Sequence, residues 1–371
     1  MSGACEELNN SSVNLSWFNI ADNSSTVCPL ATSDDLINLT ILKFFLEGVV
    51  RFIISGVGIL CNLASIFILT RKELSSLFNQ LLVVLVIYDL IYLLTTMMDA
   101  MAKLGIEPEI HAIIAPYTFY PMNAISMMGS IYMTMAVGME RYIAVNYPIE
   151  YSLVANDASS HRRRLAKYAL PITIFSILFN LPKFFETQVV HGEQGSYVEV
   201  TELRMSTTYV TWYHNWARFL ILGIIPFTVI CFLNCKIYCA VKQRRKIVRR
   251  KPDDNISMVL MMIVASFVIC NTLRILLNMH EITVVDEILS CRCSHLGGFP
   301  IWILILGFIS PVLLVINSSV NFLIYCMFGT KFRQVLYNYI PCCHQDGEQT
   351  PELVSLHIRD EAKKGRITIF L

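Results

Sequence analysis

Seven long apolar runs constrain this chain more than any other feature of its sequence. They cover residues 46–69, 81–101, 112–139, 165–181, 219–241, 256–279 and 299–327. A helix needs about 20 apolar residues to cross the hydrocarbon layer of a membrane, and lipid cannot satisfy exposed backbone polar groups, so each run is expected to be helical. Only 15% of the residues are charged, against roughly 25% in soluble domains. The sequence therefore predicts an all-α integral membrane protein, a seven-transmembrane helix bundle.

The basic residues between the runs predict the orientation, because Lys and Arg accumulate on the cytoplasmic side of membrane proteins. The segments after the first, third and fifth runs carry most of them, and seven lie between Lys242 and Lys251 alone. The segments after the second, fourth and sixth runs carry fewer, among them Lys103, Lys183, Arg204 and Arg292. A nucleic-acid patch is the other interpretation of a basic run, but topology explains one between two spans better, so no nucleic-acid partner is expected. We expect a multi-pass plasma-membrane protein with its amino terminus outside the cell.

Residues 1–45 fit an extracellular tail. N-glycosylation sequons, which are modified only on the lumenal side, occur at Asn9, Asn10, Asn14, Asn23 and Asn38. No charged-then-apolar signal peptide precedes them, so the first run is expected to act as an uncleaved signal. The expected organisation is this tail, a transmembrane domain at 46–328, and a cytoplasmic helix and tail at 329–371.

Polar and ionisable residues inside the runs are costly in lipid and are usually functional. In chain order they form Cys61-Asn62, Leu85 with Asp89, Glu140-Arg141-Tyr142, Pro226, Phe267-Val-Ile-Cys270 and Asn321-Phe-x-x-Tyr325. These motifs resemble those of the rhodopsin-like (class A) G-protein-coupled receptors, each in its corresponding helix. The family has Gly before Asn62, Asp in place of Glu140, and Pro in place of Phe322.

The resemblance is closer to one branch, the FMRFamide and related neuropeptide receptors of invertebrates. It rests on residues 130–137 with 140–145, on 180–186, on 224–227, on 233–238 and on 317–333. This resemblance implies a receptor for a neuropeptide, expected to be an FMRFamide-like amidated peptide, that signals through a heterotrimeric G protein, with arrestin as a further partner. A receptor-like scaffold or trafficking protein with little G-protein coupling remains the alternative.

The resemblance also implies two groups of working residues inside the bundle. An activation switch, in which Arg141 is latched at rest and released toward the G protein, is expected from Glu140, Arg141, Tyr142, Pro226, Asn321 and Tyr325. A polar core, which holds a sodium ion in the wider family, is expected from Asp89, Asn62, Ser130, Asn317 and Asn321. Carboxylate, hydroxyl and amide oxygens suit a hard cation, but a hydrogen-bonded network without an ion fits equally, and both interpretations remain open.

The segment that follows the seventh run predicts a short amphipathic helix. Residues 328–337 combine basic and apolar side chains in a way that is typical of an amphipathic helix on the membrane surface, so membrane lipid is a further expected partner. Cys342 and Cys343 come next and are candidates for palmitoylation, with free thiols as the alternative.

Two features of the family are missing. Its disulfide would join the position of Pro116 to the loop at 183–208, and neither contains Cys. The cysteines expected outside the cell are Cys5, Cys28, Cys291 and Cys293, and we expect a bridge from the amino-terminal tail, through Cys28, to the third outer loop. The sixth run reads Cys270-Asn-Thr-Leu-Arg274 without the family's Trp and Pro, so this helix is expected to move differently.

The expected ligand pocket lies between the outer ends of the helices. Asn123 stands where amine receptors have Asp, and the seventh run has no Lys for a retinal Schiff base, so neither ligand class is expected. A cationic, aromatic peptide needs aromatic side chains and an acid, and Asp99 is the expected acid, although Arg218 and Arg274 can pair with it or accept an acidic ligand instead.

The pocket is expected to contain Asp99, Tyr120, Asn123, Met127, Trp216, Arg218, Arg274 and Asn278. An interfacial aromatic belt is the alternative interpretation of Trp216. The sequence has no metal-ligand spacing, Ser-His-Asp order or phosphate-binding loop, so no enzyme activity is expected and no cofactor beyond the possible sodium ion.

Overall fold

The computed structural model describes residues 32–149, 151, 158–192, 195–247, 254–285 and 299–339. Helix α1 is Ser33–Leu69, α2 is Leu77–Lys103, α3 covers residues 108–146, α4 is Ala158–Phe179, α5 covers residues 207–247, α6 is Asp254–Thr283, α7 is Ile301–Ser319 continued by Asn321–Phe328, and α8 is Thr330–Tyr339. Short turns of helix occur at Lys72–Leu74, Leu181–Phe185 and Glu202–Met205. Strands β1 (Thr187–Gly192) and β2 (Gly195–Val200) form an antiparallel hairpin between α4 and α5, with Thr187 opposite Val200.

The predicted seven-helix fold is confirmed, with one helix less apolar than the rest. By length and composition, six of the described helices can cross a membrane: α1, α2, α4, α5, α6 and α7. Helix α3 packs against α2, α4 and α5 and buries Ser126, Ser130 and Thr134 among them. Because these hydroxyl groups face protein rather than lipid, α3 can carry them in the middle of the bundle. The predicted short helix after the seventh span is also present, as α8.

Helix α1 begins well before the predicted span at 46–69. Thr32 caps it, since the Asp35 backbone N–H donates to Thr32 Oγ1 at 3.2 Å while the Thr32 N–H donates to the Asp35 carboxylate at 3.0 Å. This reciprocal capping starts a helix without an apolar run. Helix α1 thus extends into the predicted tail at 1–45, while the boundary at 45/46 stays a prediction, and Asn38 lies on the exposed surface of α1. The other four sequons lie outside the described residues.

Wide π-type turns occur near the beginnings of three helices. They are Phe44–Val50 in α1, Ala115–Phe119 in α3, and Val210–Ala217 with Phe219–Ile224 in α5. The last stretch meets Pro226, whose missing N–H cannot bind the carbonyl of Ile221 five residues earlier. That carbonyl instead accepts a hydrogen bond from the Tyr132 hydroxyl of α3 at 3.0 Å. Pro226 thus lies where α5 is joined to α3.

A second crossing joins α2, α3 and α4. The Tyr88 ring of α2 lies directly against Gly129 of α3, where a Cβ atom would overlap the ring. Its hydroxyl then reaches the Thr173 hydroxyl of α4, at 2.7 Å. The absence of a side chain at Gly129 therefore allows one tyrosine to link three helices.

Candidate functional site

A buried carboxylate joins three helices in the middle of the bundle. Asp89 of α2 is 0% exposed and accepts hydrogen bonds from Ser130 Oγ of α3 at 2.6 Å and from Asn321 Nδ2 of α7 at 2.7 Å. Asn62 of α1 donates to the backbone carbonyl of Ser318 at 2.9 Å. Ser130 and Asn321 therefore bind Asp89 directly, Asn62 reaches the backbone of α7, and Asn317 is half-buried outside these hydrogen bonds.

The oxygen atoms of this polar core fit a sodium ion. The Asp89 carboxylate and the Ser130 hydroxyl lie together, and the amide oxygen of Asn62 is buried without a hydrogen-bond partner among the described residues. Oxygen ligands of this kind suit a hard cation. The two hydrogen bonds to Asp89 also satisfy the carboxylate without an ion.

Glu140, next to Arg141, is held by α4. Its carboxylate is 0% exposed and accepts hydrogen bonds from Arg164 at 3.1 and 3.2 Å and from the Tyr168 hydroxyl at 3.2 Å. The Arg141 guanidinium lies over the Phe78 ring of α2, 3.5 Å from its centroid. Glu140 thus connects α3 to α4, and Arg141 connects α3 to α2.

The remaining predicted switch residues lie at the same end of the bundle or along its core. Tyr325 is buried and packs against Phe332, with ring centroids 5.5 Å apart. Tyr325 and Phe78 line one small cavity of about 60 Å³, so the residue under Arg141 also faces Tyr325. Tyr142 is half-buried and Pro226 is buried.

A much larger cavity, of about 670 Å³, lies at the opposite end of the bundle. Six of the predicted pocket residues line it: Tyr120, Asn123, Met127, Arg218, Arg274 and Asn278. The Asn123 amide donates to the hydroxyl groups of Thr95 and Thr96, at 3.0 Å each, which fixes its orientation. Asp99 and Trp216 are not among the lining residues.

Asp99 binds cations of the protein instead. Its carboxylate lies 3.1 Å from Arg51 of α1 and 3.5 Å from Lys103, which also contacts Glu47. These charges fasten the beginning of α1 to the end of α2. Trp216 is 40% exposed and packs edge-on against Phe219.

Five charged residues of the cavity were not predicted from the sequence. They are Glu47, Arg51, Lys183, Glu186 and Glu281. Arg51 lies inside the first apolar run, where a charge is itself a sign of function. Glu281 follows Arg274 by seven residues, a spacing that puts both on one face of α6.

The β-hairpin reaches the cavity through Glu186. Its carboxylate accepts hydrogen bonds from Lys183 at 2.6 Å and from the Tyr209 hydroxyl at 2.7 Å. Burial raises the pKa of Glu186, but the Lys183 ammonium and the hydrogen bonds from Lys183 and Tyr209 hold that pKa below its usual range. The hairpin is thus anchored by a charged carboxylate at the position where the sequence lacks the expected disulfide.

Helix α6 runs without a break through the segment that lacks Trp and Pro. Asn271, at the missing Trp, is buried and donates to the backbone carbonyl of Phe267 at 2.9 Å. Cys5, Cys28, Cys291, Cys293, Cys342 and Cys343 lie outside the described residues, so the predicted bridge and palmitoylation stay predictions.

Comparisons with known proteins agree with this architecture. A family model described as "7 transmembrane receptor (rhodopsin family)" matches residues 59–325. An FMRFamide receptor of Drosophila melanogaster is 31% identical over 314 residues, which cover 79% of this chain and 53% of that protein.

Two proteins of Caenorhabditis elegans are also similar. The FMRFamide peptide receptor frpr-18 is 26% identical over 233 residues, covering 60% of this chain and 51% of that protein. The sex peptide receptor-related protein 2 is 25% identical over 329 residues, which cover 79% of this chain and 71% of that protein. The chain spans about half the length of the two FMRFamide receptors that it matches.

Proposed function

Because the chain belongs to the rhodopsin family of seven-transmembrane receptors, we propose that it is a neuropeptide receptor that signals through a heterotrimeric G protein. The family consists of receptors rather than enzymes. The observation that carries the proposal is the cavity of about 670 Å³, which is within the range of 300–1,000 Å³ that is usual for ligand sites. Its lining combines aromatic side chains with charges of both signs.

The proposed ligand is an FMRFamide-like amidated peptide. Two of the similar proteins are named as FMRFamide receptors. An Arg-Phe-amide end brings a cation and an aromatic ring, and the cavity offers Glu281 for the cation and Tyr92, Tyr120 and Phe308 for the ring. Asp99 is no longer the expected acid, because Arg51 and Lys103 already bind it.

The chain is a multi-pass membrane protein, and we propose the plasma membrane with the amino terminus and the large cavity outside. The basic residues after α1, α3 and α5 support this orientation. It puts Arg141 and Tyr325 in the cytoplasm-facing half, where the G protein and arrestin bind, and α8 at the lipid surface.

A sodium ion at Asp89 is proposed as an allosteric ligand of the resting receptor. Asp89, Ser130 and Asn62 would hold it through oxygen atoms. Sodium titration should then lower peptide affinity at the wild-type receptor and leave Asp89→Asn unchanged. An equal sodium response in both proteins excludes the ion and leaves a hydrogen-bonded network.

A peptide screen tests the proposed function. Cells that express the receptor and a G protein are exposed to a panel of amidated peptides, and nucleotide exchange is measured. At least one Arg-Phe-amide peptide should activate the wild type and fail with Arg141→Ala at equal surface expression. Silence of a well-expressed receptor across the panel would support the scaffold alternative.

A further inference from the structure

The charges that line the large cavity are ordered by depth. Glu281 lies seven residues beyond Arg274 on α6, about 10 Å nearer the helix end, and both line the cavity. In α1, Glu47 precedes Arg51 by one turn and is likewise nearer the mouth. Arg218 lies about 16 Å from the beginning of α5 at Thr207. The acids of α1 and α6 thus lie nearer the mouth than the arginines, and Arg51, Arg218 and Arg274 form the floor.

Among the described residues, two of the floor arginines, Arg218 and Arg274, have no carboxylate within 4 Å, although the charge of Glu281 acts on Arg218. Arg51 binds Asp99, and Lys183 binds Glu186. Within the described part of the chain, Arg274 donates only to the Met127 thioether sulfur, at 3.2 Å, and the Nη1 atom of Arg218 is buried without a hydrogen-bond partner. A thioether is a weak acceptor, and a buried charge without a partner is costly.

The two guanidinium groups line the same cavity and carry like charges, which repel each other. An anion that binds both relieves this repulsion and supplies the missing acceptors. The planar fork of a guanidinium matches a carboxylate through two parallel hydrogen bonds, so a carboxylate suits the floor better than a neutral amide.

We propose that Arg218 and Arg274 bind a carboxylate of the ligand, while Glu281 binds a basic group of the same molecule. Among the described residues no cation lies within 4 Å of the Glu281 carboxylate, and the charges of Arg204 and Arg218 favour its ionised form, which a ligand cation can bind. The depth difference of about 10 Å corresponds to about three extended residues, so the acid and the base stand within that spacing in the peptide. The inference rests on the proposed peptide ligand and narrows its chemistry.

Matched peptides test the carboxylate and its source. The first pair tests a side-chain carboxylate and consists of Asp-Phe-Met-Arg-Phe-amide and its Asn analogue. The second pair tests a terminal carboxylate and consists of the free acid and the amide of Phe-Met-Arg-Phe. The acidic member of one pair should be about tenfold or more the stronger at the wild type, as expected for charge-assisted hydrogen bonds. The pair that shows the preference identifies the source.

Receptor variants assign the preference to the floor. Arg274→Gln and Arg218→Gln should each abolish the preference, and Arg274→Lys should retain part of it. Lys43→Gln, which removes an exposed cation outside the cavity lining, should keep it in full. Equal potency within both peptide pairs at the wild type overturns the inference while the peptide-receptor function stands.

A second measurement does not depend on activation. The unfolding temperature of the purified receptor is followed with N-acetylglycine or N-acetylglycinamide at equal ionic strength. Only the carboxylate should raise it, in the wild type and not in Arg274→Gln, because a ligand that binds the folded state stabilises it. If no peptide activates the receptor but N-acetylglycine raises its unfolding temperature, the carboxylate site stands and the peptide-receptor function is refuted. If no peptide activates the receptor and the unfolding temperature does not rise, both the carboxylate site and the peptide-receptor function are refuted.

Discussion

Gly129 is a residue at which the packing of the bundle leaves no room for a side chain. We predict that Gly129→Ala lowers the unfolding temperature of the purified receptor, because the new methyl group displaces the Tyr88 ring and breaks its hydrogen bond with Thr173. Overpacking of this kind costs about 1–3 kcal/mol.

Gly56 provides the matched control. A Cβ atom there meets no heavy atom within 4 Å, so Gly56→Ala should be neutral or stabilising, since Ala is favoured over Gly inside a helix by about 0.5–1 kcal/mol. Equal unfolding temperatures for the two variants would show that the Tyr88 crossing is not tight.

At the scale of single residues, the sequence predicts which residues are functional better than it predicts which residues contact each other. The cost of charge in lipid singles out Asp89, and its hydrogen bonds from Ser130 and Asn321 are found. The position of Asp99 near the outer end of the second run selects it as the acid for a cationic ligand, yet Arg51 and Lys103 bind it. An ion pair depends on which charges of separate helices lie at one depth, and spacing within each helix does not give that depth.

Glu140 joins α3 to α4 through Arg164 and Tyr168. Arg164→Gln should lower the unfolding temperature because it leaves a buried carboxylate without its cation, whose hydrogen bonds are worth about 1.5–3 kcal/mol. The double variant Glu140→Gln/Arg164→Gln should lose less than the sum of the two single variants.

The exposed neighbour Arg163 serves as the control for this cycle. Arg163→Gln should change the unfolding temperature little, as is usual for exposed charges. Strict additivity of the Glu140 and Arg164 changes would mean that the two side chains do not interact.

The β1–β2 hairpin should stay attached down to low pH. The pKa of Glu186 is lowered from its ordinary 4.5, so its stabilising contribution is complete above pH 4.5 and is lost as the pH falls through the lower value in the folded state. Hydrogen exchange of residues 187–192 and 195–200, corrected for intrinsic rates, should show protection at pH 5 that disappears only below 4.5.

Glu186→Gln separates this cause from others. The variant should show weaker protection with no pH step in this range. Loss of wild-type protection already at pH 6 would contradict the assignment to Glu186.

Hydropathy predicts helices better than it predicts their ends. All seven apolar runs are helical, but α1 begins at Ser33 because Thr32 and Asp35 cap it, although Asn38 and Lys43 interrupt the apolar pattern. The β-hairpin and the π-type turns depend on packing between segments, so composition did not indicate them.

At the scale of the whole molecule, α6 connects the two candidate sites. Arg274 and Glu281 line the large cavity, and Val259 of the same helix lines the small cavity beside Tyr325. Helix α6 is unbroken between these residues. A ligand that binds Arg274 therefore contacts the same helix that lines the small cavity at the end of the bundle where Arg141 lies. We therefore expect α6 to move as one body, because it lacks the Pro that would bend it.

Nucleotide exchange on a purified G protein, with the receptor in lipid nanodiscs, tests the central claim most directly. An Arg-Phe-amide peptide should accelerate exchange in a saturable way at the wild type and should have no effect with Arg141→Ala of equal unfolding temperature. A folded wild-type receptor that leaves the exchange rate unchanged at every peptide of the panel would contradict the account.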